Sequence, residues 1–106
     1  MTDYCMAMTT IDSAAGAERL AAAIVERQLA ACVQVVGPIT STYRWQGCVE
    51  RAEEWLCLFK TRRDAYLALE TAIGELHSYE TPEIIAVPLE AGSAAYLRWI
   101  DENTVG

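Results

Sequence analysis

A single histidine, His77, opens the stretch His77-Ser78-Tyr79-Glu80-Thr81-Pro82-Glu83, where chemically able side chains are densest in this 106-residue chain. An imidazole changes charge near neutral pH and is a common metal ligand. Beside it stand a phenol, two carboxylates and a backbone stiffened by Pro82. A histidine nitrogen with glutamate oxygens suits zinc or copper, but His77 and Glu83 fall short of the three or four protein ligands of a tight site. The expectation is weak binding of such an ion, zinc or copper. The missing ligands would come from another segment, such as Met8 or Cys48, or from a second subunit. The competing expectation is structural, with His77 capping the last carbonyls of a helix.

Catalysis finds less support in the sequence. His77 has no Gly-x-Ser-x-Gly elbow to serve as a base, and there is no Gly-x-Gly-x-x-Gly or Walker loop to cradle phosphates. Glu53 and Glu54 are adjacent strand residues and point to opposite faces, so they do not form an acid and base pair. The chain is therefore expected not to be an enzyme.

Charge and composition narrow the partners. A formal charge of -7 repels phosphate backbones, so nucleic acid is not expected. The longest apolar runs, such as Leu29-Ala30-Ala31-Cys32-Val33, are far short of the roughly 20 residues needed to span a bilayer, which argues against direct membrane insertion. The start Met1-Thr2-Asp3-Tyr4 has no basic signal-peptide region, which points to the cytoplasm. Cys5, Cys32 and Cys57 sit in apolar runs without any Cys-x-x-Cys pair, and are expected to be buried free thiols. Cys48 lies in a turn and is expected to be exposed.

The elements that must position these residues follow from periodicity. Residues 4–8 read as a strand, and Asp12 or Ser13 caps a helix from 14 to about 28, with Ala17, Leu20, Ala21 and Ile24 on its apolar face. Residues 31–36 and 39–45 are strand-like, with Gly37-Pro38 as a bulge or bend between them. A turn at Gln46-Gly47 returns the chain through residues 49–60. This hairpin is long enough to overhang a small sheet, with Trp45 near its tip as an interface anchor. Thr61-Arg62-Arg63-Asp64 resembles a capping box before a second helix, whose apolar stripe is Tyr66, Leu69, Ile73 and Leu76. Residues 83–89 form a further strand, and Gly92-Ser93 starts a terminal helix with Tyr96, Leu97 and Ile100 inward.

Strand, helix, two strands, helix, strand and a last helix give an α+β chain. The expected fold is a ferredoxin-like βαββαβ antiparallel sheet, with helices on one face and an extra C-terminal helix. Residues 1–106 read as one domain. Hydrophobic residues make up 53% of this short chain, more than one small monomer readily hides, so a homo-oligomer is expected.

Taken in order, Leu29-Ala30-Ala31-Cys32-Val33, Ser41-Thr42-Tyr43-Arg44-Trp45-Gln46-Gly47, Glu54 with Lys60, the 77–84 segment and Tyr96-Leu97-Arg98-Trp99 resemble the CutA family, the divalent-cation tolerance proteins. The resemblance runs over nearly the whole chain. It implies a homotrimer akin to the PII signalling proteins, with hairpins and edge strands shared between neighbours. It also implies a response to metal ions and a capacity to bind copper or other divalent ions. The family's histidine motif falls on His77 and Glu83, with Tyr79 and Glu80 beside them. Some bacterial members carry a thiol where Met8 falls, which makes its thioether a possible additional ligand. The family commonly has proline and asparagine where this chain has Ser78 and Gln34, and serine leaves His77 less pre-organised. The alternatives are a PII-like sensor binding a small molecule in intersubunit clefts that Tyr79, Glu80, Lys60, Trp45 and Glu54 would line, or a trimeric scaffold anchoring an unidentified protein partner.

Overall fold

The computed structural model describes residues 3–105. Its elements are β1 (Tyr4–Ile11), α1 (Ala14–Glu26), β2 (Cys32–Trp45), β3 (Cys48–Arg62), α2 (Tyr66–Leu76), β4 (Ile85–Pro88) and α3 (Ala94–Glu102), with one 3-10 turn, Arg63–Ala65, before α2. The four strands form one sheet in the order β2-β3-β1-β4, and every pairing is antiparallel. This is the strand order expected of the split βαββαβ arrangement.

β1 explains how the layers sort. Its residues alternate strictly between buried and half-buried, so Cys5, Ala7, Thr9 and Ile11 face one side and Tyr4, Met6, Met8 and Thr10 the other. Ala7, Ile11, Cys57 and Phe59 meet Leu20 and Ile24 of α1 and Leu69 and Ile73 of α2 in a single core, which places both helices on the same sheet face. The opposite face carries Met6, Met8, Leu56, Leu58, Val36, Ile85 and Val87 by register. There Val36, Ile85 and Val87 remain exposed.

Several boundaries differ from the sequence expectation for local reasons. β1 continues to Ile11, because its far end is paired to Trp55. Ser13, rather than Asp12, caps α1, its hydroxyl accepting from the Gly16 amide at 2.9 Å. The helix stops at Glu26, two residues before Gln28 takes a left-handed φ of 58°. Residues 31–36 and 39–45 are one strand, β2, whose pairing with β3 shifts between Val36 and Ile39, so the bulge at Gly37-Pro38 is where it was expected. Gln46 and Gly47 both have positive φ, the twist that suits a tight hairpin turn.

The Thr61-Arg62-Arg63-Asp64 capping box does not form. Thr61 is buried in β3 and donates its hydroxyl to the Leu29 carbonyl at 2.7 Å, and Asp64 binds the Arg62 guanidinium instead. The preceding strand therefore claims the hydroxyl that the cap would have used. The Leu76 end of the α2 stripe is exposed, while Ala72 joins the core. β4 is shorter than residues 83–89. In α3, Ser93 caps the helix and Ile100 is fully buried, but Tyr96, expected inward, is exposed and lies over Lys60. The four cysteines are free, with Cys5 and Cys57 buried, Cys32 half-buried and Cys48 exposed.

Candidate functional site

α2 ends at Leu76, and the site begins with the turn of backbone that follows. His77 is extended (φ -76°, ψ 145°), and its amide gives the last helical hydrogen bond, to Ile73 at 2.9 Å. The side chain therefore leaves the helix and reaches β1 instead of capping α2. Its Nε2 lies 2.8 Å from the Thr10 carbonyl oxygen, and its Nδ1 lies 3.0 Å from the Tyr79 amide nitrogen. A carbonyl only accepts and an amide N–H only donates, so these partners set the tautomer: the proton sits on Nε2, and Nδ1 accepts. The ring is buried, with 9% exposure.

Pinning the Tyr79 amide sends the phenol toward β3. The Tyr79 hydroxyl donates to Glu54 Oε2 at 2.6 Å, the length of a charge-assisted hydrogen bond. The His77 and Tyr79 rings lie 4.7 Å apart at 52°, a tilted aromatic contact. Burial, and then the hydrogen bond and charge of Glu54, with lesser contributions from Asp12 and Tyr43, hold the Tyr79 hydroxyl far above the ordinary phenol range. It therefore stays a donor at any physiological pH. Glu54 is 7% exposed while its neighbour Glu53 is exposed, so the two glutamates do point apart. One chain of hydrogen bonds thus ties the end of β1, the 77–83 turn and the base of the hairpin together.

The remaining sequence candidates stand apart from this network. Glu80 and Glu83 are exposed on the same turn. Lys60 pairs with Met6 and Cys32, and its ammonium lies 5.5 Å from the Tyr96 ring centroid. At 3.2–3.4 Å per residue, the Met6 position is about 13 Å along β1 from Thr10, so Lys60 does not join His77 within one chain. Met8 is half-buried between Leu58 and Ile85 on the sheet face away from the helices. Trp45 and Cys48 pair at the hairpin tip, both exposed. Only Tyr79 and Glu54 of the proposed cleft residues meet. The partner that sequence reasoning missed is Thr10, which contributes through its backbone and so leaves no side-chain signal.

Among the described residues, no group of three or more His, Cys, Asp or Glu side chains is placed to hold an ion. The one lone pair of the His77 ring is already occupied by the Tyr79 amide. A shallow groove of about 430 Å³, lined by Tyr4, Arg63, Tyr66, Leu67, Val87 and Pro88 among others, opens at the far end of β1 from His77.

An antiparallel four-stranded sheet, two helices packed on one face, a long hairpin and a polar turn carrying exposed carboxylates define a small α+β protein. Residues 5–103 match the family described as CutA1 divalent ion tolerance protein. Among its relatives, the divalent-cation tolerance protein CutA of Thermus thermophilus is 44% identical over 97 residues, 92% of this chain and 94% of the relative. Protein CutA of Homo sapiens is 41% identical over 88 residues, 83% of this chain, which spans about half (49%) of the human protein. The crystal structure of CutA from Xylella fastidiosa superposes with a TM-score of 0.95 at 36% identity, covering 98% of this chain and 100% of that one. The chain belongs to the CutA family of divalent-cation tolerance proteins. The family is described by tolerance of ions, not by a reaction.

Proposed function

We propose that this chain acts in divalent-cation tolerance as a cytoplasmic homotrimer, and that the trimer binds copper or another divalent ion weakly through donors assembled between copies. The observation that carries this reading is the open sheet face. Met6, Met8, Leu56, Leu58, Val36, Ile85 and Val87 share it with Thr10, Gln34 and Lys60, and an apolar patch with Val36, Ile85 and Val87 exposed is a surface for a partner. The long hairpin arm, with Trp45 53% and Val49 66% exposed, extends the same need. Glu83 is the donor on the turn free to meet an ion, alongside Glu80. His77, expected to join Glu83, has both ring nitrogens engaged, so the exposed carboxylates are left as donors and the affinity is weak. Four free thiols fit a reducing compartment.

Light scattering at micromolar concentration is expected to give the trimer mass, and a monomer would overturn the reading. Calorimetric titration of copper and zinc is expected to show weak, saturable binding that falls in a Glu83→Gln variant. No heat of binding to either ion would overturn the metal part.

The buried Glu54 and Tyr79 pair at the base of the hairpin favours a second reading, a PII-like sensor with a small molecule in an intersubunit cleft. A metal-independent organic ligand found by thermal shift, and lost in a Glu54→Gln variant, would favour it.

A further inference from the structure

We infer that His77 is a positioning residue rather than a metal ligand: its two ring nitrogens clamp the 77–83 turn to β1 and aim the Tyr79 hydroxyl at Glu54. The assignment rests on the hydrogen bonds alone and stands whether or not the trimer binds metal.

Only 2.8 Å separates Nε2 from the Thr10 carbonyl oxygen. A zinc ion needs about 2.0 Å to nitrogen and about as much to oxygen, so none enters between them while the strand and turn stay in place. The Nε2 position also carries the proton, which a ligating nitrogen must lack. At Nδ1, an ion would displace the amide of half-buried Tyr79 and take away that donor's partner. The same displacement would release the backbone that holds the phenol 2.6 Å from Glu54. A metal at either nitrogen thus undoes the network, whereas an ion at the exposed carboxylates of Glu80 and Glu83 disturbs none of it.

The chain's single histidine makes the test direct, because 15N labelling of histidine gives one pair of ring-nitrogen signals. The expected spectrum shows a protonated Nε2 and an unprotonated, hydrogen-bonded Nδ1, and neither moves when zinc is added in excess over protomer. A protonated Nδ1, or a zinc-dependent shift of either signal, would overturn the assignment. Calorimetry on the same sample reports separately on metal binding, so the two readings fail independently.

A second measurement addresses positioning. Tyr79→Phe is expected to lower the guanidinium unfolding midpoint in the wild-type background and to have almost no further effect in a His77→Ala background. His77→Asn, whose Oδ1 offers an acceptor near the former Nδ1, is expected to restore the sensitivity. Equal losses from Tyr79→Phe in the wild-type and His77→Ala backgrounds would show that His77 does not position Tyr79. Should His77→Ala fail to fold, the nitrogen spectrum of the wild-type protein still decides.

Discussion

Replacing Tyr79 with phenylalanine isolates one hydrogen bond at the centre of the candidate site. The ring and its contact with His77 remain, and only the hydroxyl that donates to Glu54 at 2.6 Å is lost. Glu54 is 7% exposed, so its carboxylate gains little water in exchange. Hydrogen bonds to charged groups contribute about 1.5–3 kcal/mol, and an unsatisfied buried partner keeps the loss near the upper part of that range. Tyr79 is itself only half-buried, which tempers the loss to about 2 kcal/mol. In guanidinium this corresponds to a midpoint lowered on the order of 0.5 M. The comparison holds protein concentration fixed, because any self-association would add a concentration-dependent contribution. With Glu54→Gln as background the acceptor is neutral, and the same substitution is expected to cost only about 1 kcal/mol. Tyr79→Phe midpoints indistinguishable from wild type, or equal losses in both backgrounds, would refute the role given to this pair.

Three further outcomes follow from the geometry. Gly37→Ala places a Cβ 2.3 Å from Trp55 Cδ1 and 2.7 Å from Cγ, so the rigid indole must move; a loss of about 1–3 kcal/mol in unfolding free energy is expected by denaturant titration. Burial pushes the Cys57 thiol from 9.0 up to about 11. The folded state therefore holds this proton more tightly than the unfolded chain, so the contribution is complete below pH 9 and is lost as pH rises toward 11. It amounts to about 3 kcal/mol, and Cys57→Ala should flatten that part of the stability profile. In the native protein, a brief iodoacetamide pulse at pH 8 should modify exposed Cys48 first and leave buried Cys57 intact, as read by peptide mass mapping.

The sequence carried the element order because each signal is local. The apolar stripe Leu69 and Ile73, the cap at Ser13 and the turn at Gln46-Gly47 are all spelled out within a few residues. Where two elements competed for one residue, local reading failed. Thr61 had the type and spacing of a helix cap, yet pairing with β1 drew it into the sheet and onto the Leu29 carbonyl. Tyr96 had the spacing of an inward residue, yet in the fold it is exposed and lies over Lys60.

The site divides in the same way. Residue types alone marked the 77–83 stretch, and family motifs spread along the chain marked its kind, since composition and order are properties of the sequence. What His77 does was decided only in three dimensions. Its partners are a carbonyl 67 positions away and an amide two residues on, and hydrogen-bond capacity is settled by which groups the fold places within 3 Å. A lone histidine reads as an open ligand in one dimension. The sheet and turn that surround it give both nitrogens a partner.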